Sequence, residues 1–395
     1  MIANTIGRPV EGDNFFDRER EIKQLWERFE TDNVLLLAPR RVGKTSLMFH
    51  LRDTAGQHGY RSMYTSVANA STELDFVRRI LSEIEKHKEG RKILSRIRKG
   101  GVGRFFRRIR RIELFGGGFE LADDAETQWA VIGESIVTAL HSQDAKWLLL
   151  IDEVPIFVLG LMKADPTGMR ARTFLNWFRD LRLAPETSNT VRWLVAGSIG
   201  LDTVTRRMNL SDTINDLYLE NEFGPFSREI AINLLDQLSQ SYGFPLSDEI
   251  KHDICDRTGW LIPYHLQLAF GELRTRCGSR APAAADVAKM FDDLISPAKR
   301  PYFDYWKQRL HEELGQPEDM QAIALLGGVA ADPEGATEQT LNAVLGPHIS
   351  NPAARNARLT YLLDILCSDG YLVASNDRYV FRSNLLREYW RRHVA

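Results

Sequence analysis

The chain has 395 residues, of which 44% are hydrophobic, 26% charged and 10% aromatic. That length exceeds what one hydrophobic core serves, and the composition excludes a disordered, collagenous or disulfide-scaffold protein. Lys and Arg number 51 against 53 Asp and Glu, a net charge of -2, so affinity for nucleic acid or an anionic membrane has to come from local clustering.

The N-terminal Met1-Ile-Ala-Asn-Thr-Ile-Gly-Arg8 lacks an apolar h-region, so no secretory signal is expected. An amphipathic helix is predicted over 17–30, with Ile22, Leu25, Trp26 and Phe29 at helical spacing. The run Asn33-Val-Leu-Leu-Leu-Ala38 has no alternation, as in a strand buried on both faces of a parallel sheet. A loop and helix over 39–52, a strand over 61–67 and a helix over 74–88 follow.

Residues 91–111 hold ten Lys or Arg and no acid, the sharpest composition shift in the chain. With the hairpin-like stretch around glycines 116–118 and the acids Asp123, Asp124 and Glu126, they read as an insertion over about 90–126. Beyond it come a helix over 127–141 and buried strand runs at Lys146–Ile151, Thr190–Ala196 and Leu217–Asn221, giving five parallel strands. The longest apolar stretch, Trp147 to Met162, is broken by Asp152, Glu153 and Pro155 and is shorter than the ~20 residues of a membrane span, so no membrane partner is expected.

After Pro225 the pattern turns helical, with helices over 227–242, 247–258, 263–277 and 283–295 and a hinge at Ser296–Pro301. The remainder gives helices near 318–328, 337–345 and 353–368, strands at 371–374 and 378–381 about a polar turn Ser375–Asp377, and a last helix to about 392. Three helices followed by a two-stranded wing describe a winged helix. Cys255, Cys277 and Cys367 are odd in number and lack metal-ligand spacing, which fits a reducing cytosol and a cytoplasmic protein.

The chemistry is carried by Ala38-Pro39-Arg40-Arg41-Val42-Gly43-Lys44-Thr45-Ser46, between a buried strand and a helix, the context of the phosphate-binding loop GxxxxGK[ST]. In such a loop, successive backbone N–H groups and the helix N-terminus surround the phosphates, Lys44 reaches the β- and γ-phosphates, and the Thr45 hydroxyl ligates Mg²⁺. The first position is Ala38 in place of glycine, so backbone angles open only to glycine are closed to it.

Leu148–Ile151 then delivers Asp152 and Glu153 to the C-terminal end of a buried strand, where open α/β sheets bind ligands. Asp152 is expected to hold Mg²⁺ and Glu153 to polarise the attacking water, although a lone acid at a strand end is also ordinary. No base-reading NKxD of a GTPase occurs, which favours ATP. Gly197-Ser198 ends the next strand, making Ser198 a candidate γ-phosphate sensor, and Arg206 and Arg207 beyond it are candidates for an arginine finger acting on a neighbouring subunit.

Phe15-Phe-Asp-Arg-Glu19, the loop at 38–47, Leu148–Glu153, Ala196-Gly-Ser198 and the C-terminal Tyr379–Trp390 follow one another in an order that resembles the archaeal-type ATPases of the STAND group, neighbours of the origin-recognition AAA+ proteins. The resemblance spans nearly the whole chain. It implies an ASCE P-loop core over 1–225, a helical lid over 226–300 and a winged-helix domain over 301–395. It also implies that Phe15, Phe16, Arg18 and Glu19 border the adenine. The family's GGxPxxL lid motif is represented by Gly259-Trp-Leu-Ile-Pro263-Tyr-His-Leu266, with a different spacing, so Pro263 is the residue it would set against the nucleotide. No arginine stands at the sensor-two position, which points to a switch rather than a processive motor.

Two functions follow. One is a Mg²⁺-dependent ATP switch, binding ATP and ADP, whose nucleotide state governs a partner protein or a homo-oligomer. The alternative is an ATPase on double-stranded DNA, contacted by Arg104, Arg107, Arg108, Arg110 and Arg111 of the insertion and by Arg355, Arg358 and Arg378 of the winged helix, with steep salt dependence.

Overall fold

The computed structural model describes residues 1–88, 90–91, 128–141, 145–185, 187–197, 211–220 and 223–394. The chain divides into two compact units, one of Arg18–Leu37 and Lys44–Phe223, the other of Met1–Asp17, Ala38–Gly43 and Gly224–Ala395.

The first unit runs α1 (Glu19–Arg28), β1 (Asn33–Leu37), α2 (Lys44–Thr54), β2 (Tyr60–Ser66), α3 (Glu73–Lys86), α4 (Trp129–His141), β3 (Lys146–Asp152), α5 (Val154–Ala164), α6 (Met169–Leu183), β4 (Val191–Gly197) and β5 (Leu217–Glu220). Its strands form one parallel sheet in the order β2-β3-β4-β1-β5. The α/β class and the five strands expected from the sequence are present, with β4 standing between β1 and β3. β3 and β4 are buried along almost their whole length, which explains the apolar runs Trp147–Ile151 and Trp193–Ala196.

Two polar side chains in this sheet tie it to its surroundings. Asn33 Oδ1 accepts the backbone N–H of Trp193 at 3.0 Å, and Arg192 donates to the carbonyls of Phe29 at 2.7 Å and Glu30 at 2.8 Å, beyond the end of α1. On the face covered by α3, α5 and α6, Phe76, Phe157, Phe174 and Phe178 pack with ring centroids 4.9–5.6 Å apart. Each such buried ring contributes about 1.5–3 kcal/mol. Arg182 of α6, 1% exposed, holds the approach to β5 by a two-pronged pair with Asp216 at 2.7 and 3.0 Å and a bond to the Thr213 carbonyl at 2.8 Å.

Helices α5 and α6 fill 154–183, a stretch the sequence pattern leaves unassigned. Apart from Lys163, α5 has only apolar residues and glycine, so no polar face marks a helical period, and a Pro155 at its second position resembles a break when it is in fact tolerated in a first turn. The insertion read at about 90–126 lies outside the described residues except for 90 and 91.

The second unit begins with α7 (Arg228–Tyr242), α8 (Asp248–Thr258), α9 (Pro263–Cys277) and α10 (Ala284–Leu294). Ser227 and Ser247 accept the backbone N–H three residues on, capping α7 and α8. The segment expected as a hinge at 296–301 carries a 3-10 helix, Pro297–Tyr302, that leads into α11 (Asp304–Glu313). Trp306 of α11 is fully buried and its carbonyl accepts the Tyr371 hydroxyl at 2.7 Å.

Then come α12 (Glu318–Ala330), β6 (Ala336–Thr337), α13 (Glu338–Leu345), α14 (Pro352–Ser368), β7 (Leu372–Ser375), β8 (Arg378–Phe381) and α15 (Asn384–His393). This is the winged helix of the sequence reading, with one addition. The wing is a three-stranded antiparallel sheet in the order β6-β8-β7, because the two-residue β6 pairs with Arg378 and Tyr379. At the turn between β7 and β8, Asn376 and Asp377 take φ of 44° and 56°, the left-handed pair of a tight hairpin.

Candidate functional site

In the first unit the acid at the end of β3 is joined to the start of α2. Lys44 is the first residue of α2 and Thr45 the second, so both sit at a helix N-terminus whose free N–H groups and dipole favour an anion. The Thr45 hydroxyl donates to Asp152 Oδ2 at 2.8 Å. The Tyr64 hydroxyl, from β2, donates to the same oxygen at 3.1 Å, and the backbone N–H of Glu153 donates to Asp152 Oδ1 at 3.0 Å. Asp152 is 3% exposed. Burial, and after it the neighbouring Glu153 charge, push its carboxyl above the usual carboxylate range, while Thr45, Lys44 and Tyr64 pull it back. Burial foremost, then the Asp152 charge, raises the Tyr64 phenol.

Glu153 has φ 62° and ψ 35°, a left-handed conformation uncommon outside glycine. Its backbone turns the chain sharply from β3 into α5. The turn is packed against the end of β4: a Cβ on Gly197 would lie 2.4 Å from both Cδ and Cγ of Pro155, so only glycine fits there. The expected sensor Ser198 and the arginines Arg206 and Arg207 follow directly, and all three lie outside the described residues.

At the N-terminus of α1, Arg18 has φ 76°, donates to Glu21 at 2.8 Å and covers the Phe223 ring at 4.5 Å from its centroid. It is 4% exposed. Glu19 is the first residue of α1 and is exposed.

In the second unit the loop Ala38–Gly43 carries Gly43 at φ 105°, reached without strain only by glycine, and Arg41 at φ 67°. The Arg41 guanidinium lies between two rings, 3.9 Å from the centroid of Tyr264 on α9 and 3.8 Å from that of Tyr305 on α11, and reaches the Tyr302 carbonyl at 3.5 Å. Ala38 is 1% exposed. Pro39 lies against Gly370, where an added Cβ would come within 2.9 Å of its ring. Pro263 opens α9. Beside it His265 is fully buried, and loss of solvent lowers its pKa to about 4. Phe16 meets Phe226 edge to face at 5.9 Å, and Phe15 is partly buried.

The arginines expected on DNA divide in two. Arg104, Arg107, Arg108, Arg110 and Arg111 lie outside the described residues. Those of the winged helix have protein partners: Arg355 donates to Asn342 at 2.7 Å, Arg358 pairs with Glu318 at 2.7 Å, and Arg378 donates to the Gly335 carbonyl at 2.8 Å. Tyr64, by contrast, was invisible to sequence reasoning. It reaches Asp152 through the parallel register of β2 on β3, which pairs Ser66 with Asp152.

No protein-family model and no curated protein sequence matches the chain. Solved structures do. The Walker-type ATPase PABY2304 of Pyrococcus abyssi is 15% identical with a TM-score of 0.60, over 98% of this chain and 99% of that one. The ORC2 protein of Aeropyrum pernix, in its ADPNP–ADP complexes, is 13% identical with a TM-score of 0.53, over 96% and 95%. These similarities establish a shared fold. No helix among the described residues is long and apolar enough to cross a membrane.

Proposed function

We propose that the protein is an ATP-binding and ATP-hydrolysing P-loop ATPase of the AAA+/STAND-like type, converting ATP and water to ADP and phosphate and using its nucleotide state as a switch. The observation that carries this is the Thr45 hydroxyl on the buried Asp152 carboxylate at 2.8 Å, at the N-terminus of α2. The nucleotide states named for the Aeropyrum pernix structure belong to that protein, but its fold lends the reading support.

The donor set suits Mg²⁺. Asp152 and Thr45 offer hard oxygens, and a carboxylate raised by burial gains from a cation beside it. Bound there, Mg²⁺ would offset the phosphate charge that develops during transfer. The chain's own groups do the rest. The backbone from Ala38 to Ser46 and the Lys44 ammonium bind phosphates. Glu153, held by its left-handed backbone, orients water and takes its proton. Ser198 senses the γ-phosphate, and Arg206 or Arg207 serves a neighbouring subunit. Phe15, Phe16, Arg18, Glu19 and Pro263 border the adenine. The site and the winged helix lie on one chain, with no second catalytic constellation among the described residues, which suits a slow, regulatory turnover acting on a partner protein or on assembly.

The test is nucleotide binding and turnover in wild type, Lys44→Ala and Glu153→Gln, with and without duplex DNA. Binding is expected to be lost in the first variant, whereas the second binds ATP without hydrolysing it. Unchanged turnover in Lys44→Ala would end this reading. Turnover raised by DNA and fading with salt would transfer it to the DNA-coupled alternative.

A further inference from the structure

The Asp152 carboxylate receives more hydroxyl donors than a phosphate-loop threonine alone provides. Oδ2 accepts both Thr45 at 2.8 Å and Tyr64 at 3.1 Å. The two donors arrive from different elements. Thr45 comes from α2. Tyr64 lies on β2 two positions before Ser66, the register partner of Asp152, so strand alternation sets it on the same face of the sheet, one pleat back.

The ring is held as well as the hydroxyl. Phe49, one helical turn after Thr45, meets it edge to face at 4.7 Å and 79°. Helix α2 therefore fixes both donors, one through its own hydroxyl and one through the ring it packs on. When the Thr45 hydroxyl turns to a cation, the Tyr64 hydroxyl is the side-chain donor still aimed at Oδ2. The Glu153 N–H on Oδ1 completes a frame that fixes the plane of the carboxylate.

We propose that Tyr64 is a positioning residue that orients Asp152 for the divalent cation, an assignment that rests on reading this site as an ATPase. It acts through Asp152 and touches neither nucleotide nor cation. Outer partners of this kind set metal affinity by about 10–100-fold when removed.

The experiment is Tyr64→Phe, which keeps the ring against Phe49 and deletes only the hydroxyl, in the full chain. Free Mn²⁺ is followed by electron paramagnetic resonance in the presence of ADP, alongside ADP affinity in EDTA and the thermal midpoint. The expected result is a Mn²⁺ affinity weaker by about tenfold or more, with metal-free ADP affinity and midpoint little changed. A second variant, Phe49→Leu, loosens the ring and is expected to give a smaller loss of the same kind. Mn²⁺ affinity in Tyr64→Phe within about twofold of wild type, while wild type binds Mn²⁺ with ADP, overturns the role of Tyr64 and leaves the ATPase reading standing. Wild type that binds neither ADP nor Mn²⁺ with ADP overturns both.

Discussion

Replacing Gly197 by alanine puts one methyl group where the structure has no room. The added Cβ would lie 2.4 Å from Cδ and Cγ of Pro155 and 3.5 Å from its Cβ. Carbon atoms rest at about 3.5–4.0 Å, so the proline ring has to withdraw by about 1 Å or the end of β4 has to bend away. Neither moves easily. The ring is rigid and sits at the start of α5 between Val154, 0% exposed, and Phe157, 1% exposed, while β4 is buried throughout. Overpacking of this kind costs about 1–3 kcal/mol. In a unit of this size that lowers the thermal midpoint by about 2–4 °C per kcal/mol. Pro155 is also two residues from Glu153, so the withdrawal is transmitted to the base proposed for hydrolysis, where a 1 Å displacement costs up to about a hundredfold in rate. Calorimetry and turnover on Gly197→Ala, Pro155→Ala and the double variant form a cycle. Because Pro155→Ala removes the two atoms that clash, the double variant is expected to recover part of both losses. A Gly197→Ala protein as stable and as active as wild type, or a double variant showing strictly additive losses, would refute the packing on which this rests.

Asp216→Asn leaves Arg182 buried with its charge uncompensated, and a loss of about 3–5 kcal/mol is expected, read as a lowered midpoint for the unit that contains it. His265 imposes a pH dependence of definite sign. Its pKa is lowered to about 4 in the fold, so between the ordinary histidine value of about 6.5 and 4 the unfolded chain takes up a proton that the native state refuses. Stability is therefore complete above that window and falls as pH drops through it, by up to about 3 kcal/mol. The difference in midpoint between wild type and His265→Leu, measured from pH 7 to 4.5, isolates this effect, and a difference independent of pH would exclude it.

The parts of the site legible in the sequence are those whose chemistry is contiguous along the chain. Ala38–Ser46 and Asp152-Glu153 announce themselves because a strand, a turn and a helix start occupy a few residues each, and β3 and β4 because strands covered on both faces leave no alternation to misread. Tyr64 stayed hidden because its role depends on the register between β2 and β3, which no local pattern encodes. α11 escaped for a different reason: Pro297 and Pro301 suggest a break, yet they are accommodated in a 3-10 turn that runs into a helix anchored by Trp306. Pro155 misleads in the same way, and its tight fit with Gly197 emerges only when two strand ends are brought together.

The strand order also dictates a schedule for synthesis. β1 lies inside the sheet, yet its neighbours come late: Val34 pairs with Leu194 on one side and Tyr218 on the other. Until β4 leaves the ribosome, the apolar Val34–Leu37 has no native partner on either edge. At ~5–20 residues per second, the roughly 150 residues between β1 and β4 occupy about 8–30 s. Over that interval the nascent chain displays the very strand that later leads into the loop at 38–43, a template for pairing with another chain. Truncated products ending before β4 are thus expected to aggregate or to be retained by chaperones, while the sheet closes only when its last strand has been made.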